Sequence, residues 1–177
     1  MPRSIRGIAL AFALAVVLAA STGRASAQVE EASALALIGP SASGVKMRLR
    51  LDPEAPYIVG NRLEIQQVLI NLMRNSLEAM AGADRRELDL TTTLRRPGLV
   101  EFAVADSGPG IGADMAERIF EPFVTTKRDG MGIGLLICRS IIETHGSRLQ
   151  FEPNPEGGTI FHFTLPAFLP ESDLDAN

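Results

Sequence analysis

The chain has 177 residues, 46% of them hydrophobic and 21% charged, the size and balance of one ordinary folded domain. A formal charge of -4, an aromatic content of 5% and the absence of Trp exclude nucleic-acid binding as a primary role, which needs a basic surface and stacking rings. The single cysteine, Cys138, excludes an internal disulfide or a cysteine-built metal site, and its place in "GLLICRSII" reads as a buried structural thiol.

The first residues stand apart in composition. Arg3 and Arg6 precede an unbroken apolar run from Ile8 to Ala20, Ala25-Ser26-Ala27 follows, and no acidic residue occurs before Glu30. These are the three parts of a secretory signal peptide with cleavage expected after Ala27, and the run is short for a membrane span of about 20 residues. A buried Ala-rich helix is the competing reading. The expected division is a leader over 1–27, a domain over 29–169 and an acidic tail over 170–177.

Within the domain, "GVKMRLRLD" (44–52) alternates Val45, Met47, Leu49 and Leu51 with basic residues, the period of a half-buried strand, and "PYIVG" fits a second short one. "NRLEIQQVLINLMRNSLEAMAG" places Leu63, Ile65, Val68, Leu69, Leu72, Leu77 and Met80 at helical spacing and stops at Gly82. "RELDLTTTL" (86–94) and "LVEFAVAD" (99–106), joined by "RRPG", read as an antiparallel hairpin. The glycine-rich stretch from Ser107 to Gly130 is too broken for a helix and has the length of a lid or binding loop. A helix from about Ile133 to His145 and the strands "RLQFEP" and "GTIFHFTLP" close the domain.

"DGMGIGL" (129–135) carries Gly130, Gly132 and Gly134 into a helix, and exposed amides at a helix N-terminus suit an anionic oxygen. No Lys-Ser or Lys-Thr follows the last glycine, which excludes a P-loop, and the glycines do not follow a strand, which excludes a dinucleotide fingerprint. Other features fit one nucleotide pocket. Asn71 and Asn75 share a helix face and offer neutral oxygens to a hard cation such as Mg²⁺. Asp106 ends a strand before Gly108 and Gly110, where a carboxylate can accept from an exocyclic amine while the glycines let a flat ring approach.

In this order the motifs resemble the ATP-binding catalytic domain of sensor histidine kinases, within the Bergerat-fold (GHKL) ATPases. "QQVLINLMRNSLEAM" is similar to the N box, "DSGPGIG" to the first glycine box, "IFEPFVTTK" to the phenylalanine box, "DGMGIGL" to the second glycine box and "GGTIFHFTLP" to the closing strand, in the style of the oxygen-sensing and nitrogen-regulatory kinases. The resemblance implies an α/β two-layer sandwich: a mixed, mostly antiparallel sheet, helices on one face and a mobile lid over Mg·ATP. It implies Asn75 as the Mg²⁺ ligand, Asn71 beside the phosphates, and Asp106 on the adenine amino group with Gly108, Gly110, Ile111 and Thr159 around it. Phe120 and Phe123 become lid residues, Lys127 reaches a phosphate, and Gly130, Gly132, Gly134 and Leu135 form the hinge and cradle. In hydrolysing relatives a glutamate stands where this chain has Asn71, an amide without useful basicity, so the pocket is expected to hold ATP for transfer and to hydrolyse it slowly.

The implied function is phosphorylation of a histidine on a separate acceptor and dimerisation domain, and through it of a response regulator. A module that binds ATP without kinase output and a serine kinase of the anti-sigma type are the alternatives. The chain's two histidines, His145 in "ETHGS" and His162 in the last strand, read as structural. Without a dimerisation hairpin, a monomer is expected. ATP binding points to the cytoplasm, whereas the leader points to secretion, to an inner-membrane anchor or to a displaced gene start.

Overall fold

The computed structural model describes residues 22–38, 42–55, 57–96, 98–125 and 131–168. β1 (Thr22–Arg24) runs into α1 (Ala25–Ala36), and β2 (Lys46–Leu51) and β3 (Tyr57–Val59) precede α2 (Arg62–Ala79). The hairpin of β4 (Glu87–Arg96) and β5 (Leu99–Asp106) follows. A long segment holding the short α3 (Ala113–Ala116) leads to α4 (Gly134–Thr144), β6 (Gln150–Pro153) and β7 (Thr159–Phe168).

The sheet runs β1-β3-β7-β5-β4-β2, with β6 also on β7. Among the described strands only β2 and β4 pair in parallel, and that pairing needs a crossover, which β3 and α2 supply. This is the mixed, mostly antiparallel two-layer sandwich that the sequence predicts. Alternation on β5 decides which face is covered. Val100, Phe102, Val104 and Asp106 point to the helices and are buried, while Glu101 and Ala103 point away. Phe102 stacks on Phe163 of β7 at 5.2 Å between centroids.

α2 is held by its apolar stripe. Ile65, Val68, Leu69, Leu72, Met73 and Leu77 are buried, and each contributes about 1.5–3 kcal/mol by burial, more than any surface ion pair. The Asn61 carboxamide caps the helix, its Oδ1 accepting from the N–H groups of Leu63 and Glu64 at 3.1 and 3.4 Å. On the uncovered face Arg48 bridges Glu87 and Asp89, and the arginines of this cluster hold both carboxyls below the usual range. These charges line the edge strand β2, where they discourage pairing with a second sheet.

The leader end expected at Ala27 falls within residues that the structure describes. Thr22–Arg24 pairs with β3, Ala25 is completely buried, and α1 packs Val29, Ala32 and Ala36 against the core. Glu31 pairs with Arg62 of α2. A boundary after Ala27 would therefore cut into α1 and remove β1. The helix is hard to see in sequence because its buried positions are mostly alanines, which fit the tail of a signal peptide equally well. Residues 1–21 and the acidic tail lie outside the described residues, and no helix among the described residues is long and apolar enough to cross a membrane.

Candidate functional site: a buried carboxylate among glycines

Asp106 is the last residue of β5 and is only 4% exposed. Its Oδ1 accepts from the backbone N–H of Gly108 at 2.9 Å and of Thr159 at 3.3 Å. The buried Ser76 hydroxyl of α2 lies close to the same carboxylate without a hydrogen bond of standard geometry. Burial raises the Asp106 pKa above the ordinary carboxylate value, and the donors at Gly108, Ser76 and Thr159 offset part of that rise. Among the described residues no basic side chain pairs with it. A buried acid held by backbone amides, without a cation, is a costly arrangement, which makes Asp106 the candidate centre of a site.

Glycines surround this carboxylate because side chains would not fit. A Cβ on Gly108 would sit 3.0 Å from Asp106 Oδ1 and 3.5 Å from the Ala79 backbone, so α2 and the turn after β5 approach closely here. Gly158, at φ +101°, packs over β5, and a Cβ there would come within 2.1 Å of the Asp106 carbonyl oxygen. Gly110 turns the chain at φ +78°. Ile111 is half-buried against the core, and Thr159 is buried beside Asp106.

Asn71 and Asn75 are half-buried on α2, the helix that also brings Ser76 to Asp106. The Asn71 amide approaches the Cys138 thiol of α4, and burial pushes that thiol up to about 11, which keeps it protonated and inert. The expected structural cysteine is therefore what the structure contains. Among the described residues no cluster of three His, Cys, Asp or Glu side chains could hold a metal.

The lid segment is anchored at two points. The Phe120 ring meets Phe151 of β6 edge-on at 5.9 Å, and the Arg139 guanidinium of α4 sits over it at 5.7 Å. Phe123, by contrast, is 79% exposed. Its N–H donates to the Gly132 carbonyl at 3.1 Å, which ties the outgoing and returning chains together. Gly134 opens α4 with free space at its Cα, and Leu135 packs partly on the core. Lys127 and Gly130 lie outside the described residues.

A groove of about 410 Å³ runs between α1 and α2 past Leu35, Ile38, Leu63, Ile70, Asn71 and Arg74, and does not reach Asp106, Gly108 or Thr159. Size is a poor guide here, because the groove has no buried polar group converging on it. His145 is engaged at both ring nitrogens. Nε2 accepts from the Asn61 N–H at 3.0 Å, so the proton sits on Nδ1, which donates to the Ile141 carbonyl at 2.8 Å. His162 is half-buried on β7, with Nδ1 3.8 Å from a Glu101 carboxylate oxygen.

With this geometry in place, comparison with known proteins decides the family. A profile of the histidine kinase-, DNA gyrase B- and HSP90-like ATPases matches residues 60–168. The chain belongs to this ATPase family. Over 139 residues it is 50% identical to the sensor protein FixL of Bradyrhizobium diazoefficiens, covering 78% of this chain and 28% of that protein. It is 45% identical over 138 residues to the C4-dicarboxylate transport sensor protein DctS of Rhodobacter capsulatus, 76% of this chain and 21% of that one. The sensory histidine kinase/phosphatase NtrB of Rhizobium leguminosarum is 33% identical over 150 residues, 77% and 39% of the two chains. Among solved structures, the nucleotide-free catalytic domain of histidine kinase ThkA superposes with a TM-score of 0.72 at 32% identity, over 82% of this chain and 94% of that one. Full-length ShkA in complex with AMPPNP gives 0.70 at 26%, over 82% and 31%. This family member thus corresponds to a kinase catalytic domain and spans well under half the length of these sensor proteins.

Proposed function

We propose that this chain binds Mg·ATP beside Asp106 and transfers the γ-phosphate to a histidine on a separate acceptor domain, which passes it to a response regulator. The observation that carries the reading is the buried Asp106 carboxylate, fixed by Gly108 and Thr159 at the end of β5 with glycines where a ring must approach. The adenine amine donates to this carboxylate, and Gly110, Ile111 and Thr159 bound the ring. Asn75 would hold the Mg²⁺ ion, which neutralises phosphate charge when bound, and Asn71 and Lys127 are assigned to the phosphates by the family motifs that they match. Phe123 and the glycines from Gly130 to Gly134, with Leu135, close over the nucleotide, while Phe120 anchors that closure to the sheet.

Catalysis in this reading is positioning. Asn71 supplies no base for water, so the bound triphosphate waits for an aligned nitrogen nucleophile. The domain works where ATP is present, in the cytoplasm, and it extends over 29–169 and upstream through α1. The test is incubation with γ-labelled ATP and a purified acceptor hairpin protein. Acid-labile, alkali-stable label on the acceptor is the expected result. Label on serine points to the anti-sigma type of kinase, and ATP binding without transfer points to a module lacking kinase output.

A further inference from the structure

The turn between β6 and β7 does more than reverse the chain. The Asn154 N–H donates to the Gly158 carbonyl at 3.1 Å and the Gly157 N–H to the Asn154 carbonyl at 2.8 Å, closing a tight loop. The Asn154 side chain then works in two directions. Oδ1 accepts from the Glu156 N–H at 3.1 Å, and Nδ2 donates to the Asp106 carbonyl at 2.8 Å. Because a backbone N–H only donates and a carbonyl only accepts, these partners fix the orientation of the amide.

The second bond replaces a missing rung of the sheet. The β5–β7 register ends at Ala105 opposite Ile160, so the Asp106 carbonyl on that side has no strand partner. Gly158, with its positive φ, brings the turn over that carbonyl, and Asn154 supplies the donor. Arg85 braces the same turn from outside, reaching the Glu156 carbonyl and carboxylate, each at 2.8 Å. That pair is about half exposed and contributes little, whereas the Asn154 bond is half-buried and acts on the residue that carries the carboxylate.

We infer that Asn154 is a positioning residue for base specificity: it fixes the backbone of Asp106 so that its carboxylate selects a purine with a 6-amino group over one with a 6-oxo group. A 6-amine donates to the carboxylate, while a 6-oxo group presents a second acceptor to it, and discrimination between the two requires the carboxylate to stay in place. The inference rests on the assignment of Asp106 to the base.

The experiment measures Kd for ATP and for inosine triphosphate, by calorimetry on the full chain, for wild type, Asn154→Ala, Asn154→Asp and Asp106→Asn, with a melting curve for each. Asn154→Asp is nearly isosteric and keeps the acceptor for Glu156 while losing the donor to Asp106. The expected result is a wild-type preference for ATP of about tenfold or more, reduced to about threefold or less in both Asn154 variants through weaker ATP binding alone. Asn154→Asp with the wild-type ratio, or either variant losing affinity equally for both nucleotides, would overturn the positioning role. A wild-type chain that fails to distinguish the nucleotides would instead overturn the assignment of Asp106, a separate outcome.

Discussion

Phe123 and Gly132 both adopt left-handed backbone, at φ 64° and 67°, and the N–H of the first donates to the carbonyl of the second. A Cβ on Gly132 would stand 2.6 Å from the Phe123 carbonyl carbon, so the two chains meet with no room for a side chain. Phe123 holds a conformation that costs a non-glycine residue about 1–2 kcal/mol, yet its ring stays in solvent. Such strain without packing return fits a residue whose contacts form on nucleotide closure.

Phe123→Gly is therefore expected to raise stability by up to about 1 kcal/mol and to weaken ATP binding several-fold, since it relieves the backbone and deletes the ring. Gly132→Ala is expected to part the two chains and weaken ATP binding without large loss of melting temperature, because little core is involved. Calorimetric titration with ATP alongside thermal melting reads both. A Phe123→Gly variant with unchanged ATP affinity would remove Phe123 from the binding surface.

Asp106→Asn should separate stability from binding. The raised pKa means that the folded protein ionises this acid less readily than the unfolded chain. Its contribution to stability is present below the ordinary carboxylate pKa and fades as pH rises through the raised value. The amide keeps an acceptor for Gly108 and Thr159 and carries no charge. The variant is expected to melt at or above the wild-type temperature, with the advantage larger at pH 7 than at pH 4. ATP affinity should fall by about tenfold or more, as loss of a hydrogen bond to a charged group implies. A folded variant with wild-type ATP affinity would contradict the adenine assignment.

Much of this site is legible in the amino-acid sequence, for definable reasons. α2 stands out because its buried positions are large and periodic, and Asp106 because it closes an alternating strand ahead of glycines. Asn154 gives no such signal: an Asn in a turn is ordinary, and only the tertiary placement of Gly158 over β5 turns its amide toward Asp106. α1 is obscured by its alanines, which pack closely on α2 but carry no large apolar period. Phe120 and Phe123 look equivalent in "IFEPFVTTK", and only the position of Phe151 separates an anchored ring from an exposed one.

Asn75 is expected to act through the metal. Asn75→Ala should weaken binding of Mg·ATP well beyond that of metal-free ADP, since an amide oxygen ligand is lost while the base contacts remain. Paired titrations with and without Mg²⁺ give the comparison. Equal losses for both ligands would make Asn75 a structural residue of α2.

The isolated chain should bind ATP and fail to label itself. Phosphoryl transfer needs a nucleophilic nitrogen in line with the γ-phosphate, and neither histidine offers one. His145 uses Nε2 to accept from Asn61 and Nδ1 to donate to Ile141, and its side chain is only 10% exposed. It ties the end of α4 to the start of α2, so His145→Gln is expected to cost about 0.5–1.5 kcal/mol of stability by loosening the bond from the exposed Asn61 N–H. His162 is fixed in β7 opposite Ala103 of β5 and beside Glu101. Labelled ATP should therefore leave the purified chain unlabelled until an acceptor hairpin protein is added, and hydrolysis in its absence should be slow because Asn71 activates no water. Acid-labile, alkali-stable label on the chain alone, removed by His145→Gln or His162→Gln, would identify that histidine as a phosphoacceptor and overturn the structural role assigned to it.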